Sequence, residues 1–432
     1  FKEYDNAIKN FAKAIEINPK LVSAHNNLGL VYRSVNDFKN AIICYENAIK
    51  IKNNNPGTYH NLALALKELG EFEKAIHAHE NAIKFEPDNA IHYFYLSELK
   101  KDILDSGLRK KINGIIKEKK SNSRILAYSH YLLSRYEKKE KNYKKELVHL
   151  IEGHQKFFDS KSRKFNLGIK YCFEDVLQIS NGARIESLSE KKDSKVKPIF
   201  IIGTPRSGST LVEKIIGSGK LLIPMGEESQ VLENFFTQKV IETQSLQLGN
   251  AEIIRQEIND IYKSKGLILE KFNYTFTDKS LNNFFYLELI KAIYPNAKII
   301  NCIRNPVASI MSIFKNNLSE LAWAHDLKNI FKYFDNYYDI IENYNSIYPN
   351  SIYNLEYEKL VSKPELIAKN LMNFCELDWD KKCLEFHKRK DLILKTASNI
   401  QIRQAIFKNS IDKYKPYKKL LQDYGKNYSW FN

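Results

Sequence analysis

Apolar and polar positions follow two different periods along this chain of 432 residues. From about residue 197 onward, short apolar runs such as residues 199–202 alternate with helical patterns, which predicts strands and helices around a mostly parallel sheet. Before that point, over residues 1 to about 100, small and apolar side chains recur every 34 residues at helical spacing, which predicts packed helix pairs. The repeating columns are Ala7, Ala41 and Ala75; Ala14, Ala48 and Ala82; Phe11, Tyr45 and His79; and Leu28, Leu62 and Leu96.

A helix–turn–helix period of 34 residues, with small residues where helices pack closely, is typical of tetratricopeptide (TPR) repeats. The period loosens after Asp102, although residues 127–156 still predict a helix pair with its turn at Asn142. We therefore predict an α-solenoid over residues 1–160, a helical linker over 161–196 and an α/β domain over 197–432. Because the first repeat is entered midway and the sequence starts at Phe1, we expect it to begin inside a longer solenoid.

The stretch PIFIIGTPRSGST, residues 198–210, has the main chemical signal of the second half. It predicts a strand, a glycine-containing loop and a helix, a layout in which loop N–H groups and a helix N-terminus bind phosphate. The spacing fits a P-loop, G-x-x-x-x-G-K-[ST], except that Ser209 stands where the lysine would be. The cation lies instead at Arg206, whose planar fork of donors suits a smaller anion, such as a 5′-phosphate with one more tetrahedral group.

Charged side chains also follow other predicted strands, at the edge where an α/β fold places its chemistry. Glu227 and Glu228 follow an apolar run and a glycine, and Lys279 follows a strand predicted over residues 272–276. The two acids also suit the first turn of a helix, where glutamate is favoured. A catalytic role and a helix-start role are compatible if they belong to different members of the pair.

A second anion site is predicted roughly 100 residues after the loop. A strand over residues 297–303 leads into Arg304, and Ser312 lies two turns along the helix that follows, so both side chains can meet one anion. A later strand, residues 351–357, ends at Tyr357, which fits a core aromatic as well as a nucleotide contact. The polar and basic tail, residues 396–417, is predicted to be an ordered flap over an anionic group.

The motifs PRSGST, GEE, DKS, IRNPVASIMS, LEYEKLV and the tail TASNIQIR…SIDKY are similar to those of sulfotransferases that use 3′-phosphoadenylyl sulfate (PAPS), in particular the tyrosylprotein type. With TPR repeats in front, the chain resembles bacterial TPR–sulfotransferase proteins. The resemblance implies an α-solenoid followed by a P-loop-like sulfotransferase domain. It also implies transfer of a sulfonate group from PAPS to an acceptor hydroxyl, with protein tyrosine as one candidate, leaving 3′,5′-adenosine bisphosphate and requiring no metal.

Site residues follow from the resemblance position by position. It implies that the 5′-phosphosulfate is bound by the loop residues Arg206, Ser207, Gly208, Ser209 and Thr210. Arg304 and Ser312 would bind the 3′-phosphate, Tyr357 would lie near the nucleotide, and Ser398 and Lys413 would close the site.

The same resemblance assigns catalytic roles. Glu228 matches the family's catalytic base and Lys279 its catalytic lysine. Arg206 and Lys279 would hold the charge that builds on the transferred group, and Ser398 would orient the sulfonate. The chain departs from the tyrosylprotein sulfotransferase pattern at two places, with Ser209 in place of threonine and Ser280-Leu281 in place of Asp-Pro. These departures affect the predicted identity of the acceptor more than that of the cofactor.

The residues themselves leave two other classes of function as alternatives. A P-loop kinase or NTPase would need a lysine at position 209 and a strand-borne acid for Mg²⁺, and the lysine is absent. A non-catalytic TPR adaptor would bind a nucleotide or peptide in its α/β domain without turnover.

The amino-acid composition limits the classes of binding partner. The net charge of +16 favours anionic ones, such as an acidic peptide presented by the TPR groove, while the absence of aromatic–basic interleaving argues against nucleic acid. No apolar run approaches the roughly 20 residues of a membrane span. Five scattered cysteines in apolar surroundings predict reduced thiols and a cytoplasmic protein. A homodimer is one candidate assembly.

Overall fold

The structure, a computed structural model, describes residues 2–118, 122–186, 195–389, 405–406 and 412–431. These residues divide along the chain into two compact units, the first ending at Ser160 and the second starting at Lys161. Within this described part, no helix is long and apolar enough to cross a membrane.

The first unit is built of helices that pack in consecutive pairs. Its helices are α1 (Lys2–Ile17), α2 (Val22–Ser34), α3 (Phe38–Ile51), α4 (Pro56–Leu69), α5 (Phe72–Phe85), α6 (Ala90–Leu99), α7 (Ser106–Lys117), α8 (Ser123–Lys139) and α9 (Tyr143–Asp159). The ends of α4 show how the sequence sets a boundary: the Asn55 side chain accepts a hydrogen bond from the Thr58 N–H, Pro56 occupies the first turn, and Gly70 ends the helix at φ 84°.

Small residues at the 34-residue period let these helices approach closely. Ala41, Ala48, Ala75 and Ala82 are fully buried. A Cβ atom on Gly29 of α2 would lie 2.5 Å from the Tyr45 ring of α3, so the helix pair needs a glycine there. The predicted helical repeats are therefore confirmed, and their packing follows from the columns read in the sequence.

The second unit is an α/β structure. Its strands are β1 (Arg184–Glu186), β2 (Lys197–Gly203), β3 (Gln247–Asn250), β4 (Thr275–Asp278), β5 (Lys298–Ile303) and β6 (Ile352–Glu356). Its helices are α10 (Ser162–Lys170), α11 (Val176–Gly182), α12 (Ser209–Gly217), α13 (Val231–Thr243), α14 (Ala251–Ser264), α15 (Leu287–Ile293), α16 (Pro306–Lys315), α17 (Leu327–Ile347), α18 (Tyr357–Ser362), α19 (Pro364–Phe374), α20 (Lys415–Lys418) and α21 (Gln422–Gly425). A π-helical turn, Tyr171–Asp175, joins α10 to α11.

Four parallel strands form the main sheet in the order β4-β2-β5-β6, and β1 pairs with β3 separately, also in parallel. The central strand β2 is buried along residues 199–202, which explains its uninterrupted apolar run. Because Gly203 pairs with Cys302 and Ile303 with Glu356, these strands end at one edge of the sheet. The loops that leave this edge hold the predicted site residues.

Two predicted strand boundaries are wrong. The strand predicted over residues 272–276 begins at Thr275, because Glu270–Phe272 is a 3-10 turn and Asn273 and Tyr274 adopt positive φ. The strand predicted to end at Tyr357 stops at Glu356, and Tyr357 starts α18. The apolar pattern located both strands but not the turn and the helix start beside them.

Candidate active site

The loop between β2 and α12 turns sharply at the carboxyl edge of the sheet. Arg206 and Gly208 adopt left-handed conformations with φ 69° and 102°, and the Ser207 N–H donates to the Thr204 carbonyl over 3.2 Å. Such loops gather backbone N–H groups into a concavity that binds anions. A Cβ atom on Gly208 would lie 2.5 Å from the Tyr357 ring, so glycine is required for the loop to fit against that ring.

Two guanidinium groups meet at this loop. The Arg206 Nε donates to the Ser312 Oγ over 2.9 Å, and the Arg304 Nη1 donates to the backbone carbonyl of Arg206 over 2.9 Å. The Arg304 guanidinium also lies 4.5 Å from the centre of the Tyr357 ring. Burial, with the Arg304 charge added, lowers the pKa of Arg206 to about 10, and burial lowers the pKa of Arg304 as well. An anion bound here would relieve the cost of burying two positive charges together.

The segment before α13 lies along the end of β4. The Thr277 N–H donates to the Pro224 carbonyl over 3.0 Å, and the Gly226 N–H donates to the Thr277 carbonyl over 2.9 Å. The Lys279 N–H then donates to the Glu227 carbonyl over 2.8 Å. These three backbone hydrogen bonds fix the segment in register against β4 and bring the next residue, Glu228, opposite Lys279.

Glu228 and Lys279 form an ion pair whose Nζ–Oε1 distance is 3.2 Å. The Lys279 side chain is 2% exposed and the Glu228 side chain 51% exposed, so the carboxylate can be reached from solvent and the ammonium cannot. Burial lowers the pKa of Lys279, but the carboxylates of Glu228 and of two nearby glutamates outweigh it and leave that pKa above its usual value. Lys279 is therefore a buried cation at neutral pH.

The neighbouring acid, Glu227, has a different environment. Its carboxylate pairs with Lys214 of α12 over 2.9 Å, and its N–H donates to the Glu213 carboxylate over 3.0 Å. The Glu213 carboxylate also accepts a hydrogen bond from Thr277, and burial raises its pKa. Neither Glu227 nor Glu228 lies in the first turn of α13, where the acid is Glu233, so the helix-start interpretation is wrong for both.

The structure brings most predicted site residues to one edge of the sheet. The loop after β2 continues into Ser209 and Thr210 at the start of α12, next to the Arg206–Ser312–Arg304 cluster and Tyr357. Lys413 is exposed in the turn before α20, and among the described residues it forms no hydrogen bond or ion pair with this cluster. Ser398 and most of the predicted flap lie outside the described residues.

Three buried charged residues beside the site were missed from the sequence. Asp278 is fully buried at the end of β4, and Glu213 and Lys214 are buried on α12. One signal was present: adjacent opposite charges interrupt the apolar pattern of α12 between Val212 and Ile215.

Comparisons with known proteins find two kinds of match along the chain. Residues 198–381 match the family model described as "Sulfotransferase family", and residues 2–35, 31–70 and 56–89 match TPR models. An Aquifex aeolicus protein without an assigned function is 29% identical over 265 residues, which cover 58% of this chain and 35% of that protein. The chain thus spans about a third of that relative's length.

Two further matches come from named proteins. A Caenorhabditis briggsae protein with the provisional name protein-tyrosine sulfotransferase is 25% identical over 199 residues, which cover 44% of this chain and 69% of that protein. The solved sulfotransferase domain of the Synechococcus PCC 7002 olefin synthase is 18% identical, with a TM-score of 0.39, over 54% of this chain and 91% of that one. At that score the likeness adds nothing to the family match. Residues 198–381 are thus similar to the sulfotransferase family, and the segments similar to TPR repeats precede them in the chain.

Proposed function

We propose that the second unit transfers a sulfonate group from PAPS to an acceptor hydroxyl, with Glu228 as general base. The observation that carries this proposal is that the family match, residues 198–381, includes the phosphate loop, both guanidinium groups and the Lys279–Glu228 pair. Ser209 at the P-loop lysine position argues against a nucleoside triphosphate as the substrate.

The residues present suit the cofactor. Ser207 Oγ is buried and has no hydrogen-bond partner among the described residues, so it offers a polar group to a ligand in the loop. In this proposal Arg206 and the N–H groups of residues 207–210 hold the 5′-phosphosulfate, and Arg304 and Ser312 hold the 3′-phosphate. Tyr357 lies beside the nucleotide, and Ser398 and Lys413 close the site. When bound, PAPS supplies the sulfonate group and a leaving phosphate.

Glu228 and Lys279 have different roles in the proposed reaction. The half-exposed Glu228 carboxylate accepts the proton of an acceptor hydroxyl, a role typically worth about 10²–10⁴-fold in rate. The Lys279 ammonium stays charged and, with Arg206, stabilises the negative charge that develops on the transferred group. The main chain beside both residues is held by backbone hydrogen bonds between residues 224–227 and 277–279, so little reorganisation of the main chain is needed.

A tyrosine hydroxyl in an acidic peptide is the acceptor we propose. The name of the Caenorhabditis relative and the net charge of +16 support it. TPR repeats commonly recognise proteins, which is consistent with a protein acceptor.

Calorimetry tests the cofactor and labelled transfer tests the reaction. We expect 3′,5′-adenosine bisphosphate to bind with a Kd in the micromolar range, at least about tenfold more tightly than ATP with Mg²⁺. Sulfur-35 from labelled PAPS should appear on an acidic tyrosine peptide, with the same peptide carrying phenylalanine as the control. Tighter binding of ATP–Mg²⁺ would point to a kinase, and tight bisphosphate binding without transfer to peptide, phenol or saccharide would point to a non-catalytic adaptor.

A further inference from the structure

The carboxylate of Asp278, at the end of β4, is fully buried and accepts five hydrogen bonds. Its Oδ2 accepts from Ser229 Oγ and from the Tyr262 hydroxyl, each over 2.6 Å. Its Oδ1 accepts from the Ser280 N–H over 2.9 Å, from Ser280 Oγ over 2.6 Å and from the Asn283 side chain over 3.0 Å.

One of these hydrogen bonds joins the two halves of the proposed catalytic pair. Ser229 is the neighbour of Glu228, and Asp278 is the neighbour of Lys279, so the Ser229–Asp278 bond lies directly beside the Glu228–Lys279 ion pair. A second link lies one residue further on, where the Gln230 N–H donates to Ser280 Oγ over 2.8 Å. The backbone on both sides of the pair is thereby fixed through Asp278.

Glu228 needs such support because its own side chain is half-exposed and its segment is not part of a helix or strand. An exposed carboxylate on an irregular segment samples several positions, whereas a general base must stay within hydrogen-bonding reach of the proton that it takes. A hydrogen bond to a buried carboxylate is charge-assisted and geometrically demanding, so it restricts that sampling.

We propose that Asp278 is a positioning residue that, through Ser229, holds Glu228 against Lys279 in the catalytic arrangement; this rests on the proposed function. Replacing Asp278 itself would not separate this role from folding, because its Oδ1 also holds Ser280 and Asn283 at the start of the next 3-10 turn. The test therefore changes the two hydroxyl donors to Oδ2, which are matched in distance but come from different parts of the chain.

Ser229→Ala removes the donor beside Glu228, and Tyr262→Phe removes the donor that comes from α14. With PAPS and the acidic tyrosine peptide as acceptor, we expect Ser229→Ala to lower kcat by about 10- to 100-fold and to change its pH profile, because small displacements of a catalytic group have large effects on rate. The Kd for 3′,5′-adenosine bisphosphate should stay within about twofold. Ser229→Thr, which keeps a hydroxyl, should restore most of kcat, and Tyr262→Phe should keep kcat within about twofold once the folded fraction is matched.

The positioning role is contradicted if both variants lower kcat equally, or if neither lowers it, while both reduce thermal stability. A second measurement does not depend on turnover. A water-soluble carbodiimide should join Glu228 to Lys279 as an amide that mass spectrometry detects, with Glu228→Gln as the blank. The yield should fall in Ser229→Ala and persist in Tyr262→Phe. If the wild-type chain transfers no sulfonate to any acceptor, the proposed function fails, and the cross-link still decides whether Asp278 and Ser229 position the pair.

Discussion

The Nε of Arg206 donates a hydrogen bond to the Oγ of Ser312 over 2.9 Å, which joins the loop after β2 to the helix after β5. The sequence predicts these residues as parts of two anion sites, and the structure places them in one cluster with Arg304. PAPS has its 3′-phosphate and its 5′-phosphosulfate on the same ribose, so a single cluster suits it better than two separate sites would.

Arg304→Ala should therefore weaken nucleotide binding more than it slows the chemical step. The change removes a guanidinium and also the donor that holds the Arg206 carbonyl. We expect the Kd for 3′,5′-adenosine bisphosphate to rise by about 10- to 100-fold, which corresponds to roughly 1.4–2.8 kcal/mol. Isothermal titration calorimetry measures this directly.

The matched control is Lys359→Ala, which removes an exposed cation of α18 that pairs with Glu356. An exposed ion pair contributes about 0–1 kcal/mol, and this one lies outside the cluster, so affinity should hardly change. Equal losses in the two variants would mean that general charge, and not the Arg304 contacts, governs binding.

Glu227 and Glu228 are adjacent in sequence, yet replacing Glu228 should mainly lower the rate and replacing Glu227 should mainly lower the stability. Glu228→Gln should lower kcat by about 10²–10⁴-fold and leave the Kd for the bisphosphate nearly unchanged. Its loss of stability should be smaller than that of Glu227→Gln, because the Glu228 carboxylate is half-exposed and the carboxylates of Glu213 and Glu227 still act on the buried Lys279. Glu227→Gln should destabilise the fold by about 3 kcal/mol, because it leaves the 1% exposed Lys214 without its carboxylate.

Thermal unfolding and single-turnover transfer, measured on the same preparations, separate these outcomes. Lys214→Met combined with Glu227→Gln should recover part of the stability that Glu227→Gln loses, because it also removes the unpaired buried charge. Unchanged turnover in Glu228→Gln would end its assignment as the base.

The sequence predicts those parts of the molecule that local patterns encode. The column of Ala41 and Ala75 predicts the helical repeats, because helix packing follows a fixed period. The run of residues 199–202 followed by Gly203 and Gly208 predicts the phosphate loop, because strand burial and left-handed turns have local signals.

Contacts across the sheet edge could not be predicted in this way. The Ser229–Asp278 and Glu213–Thr277 hydrogen bonds depend on how residues 224–230 align with β4, and Met225 and Thr277 form only an isolated bridge. No periodic pattern marks such an alignment, and a one-residue shift would separate Glu228 from Lys279. The lysine and the acid were therefore predicted as candidates, but the groups that hold them were not.

Gly208→Ala should weaken nucleotide binding in addition to the loss of stability that an alanine at positive φ causes anywhere in the fold. Alanine at φ 102° costs roughly 1–2 kcal/mol, and its Cβ would also displace the Tyr357 ring. Gly266→Ala is the matched control, since Gly266 has φ 71° and nothing within 4 Å of an added Cβ. We expect both variants to melt at lower temperature and only Gly208→Ala to raise the Kd for the bisphosphate, by about tenfold or more. A Kd that rises in both variants, or in neither, would show that the fit against Tyr357 is unimportant.

The first unit should lose stability as the pH falls below about 6.5, because of the buried His79 in α5. Its ring lies 5.6 Å from that of His60 in α4 and 6.1 Å from that of Tyr95 in α6. Burial, followed by the charges of His92 and Lys67, lowers the pKa of His79 to about 3. Between pH 6.5 and about 3 the unfolded chain therefore binds a proton that the folded chain does not, so the free energy of unfolding decreases as the pH falls. The decrease between pH 6.5 and 5 is about 2 kcal/mol from this residue.

His79→Phe should remove that part of the pH dependence without disrupting the repeat, because the same column has Phe11 and Tyr45 in the other repeats. His77→Phe is the matched control, because His77 lies two residues away in the same helix and its side chain is exposed. Hydrogen exchange of peptides from α5, corrected for intrinsic rates at each pH, gives the opening free energy of this helix. We expect its slope between pH 7 and 5 to become smaller in His79→Phe and to stay unchanged in His77→Phe. Equal slopes in the wild type and His79→Phe would mean that other groups, such as His60 and His92, cause the acid sensitivity.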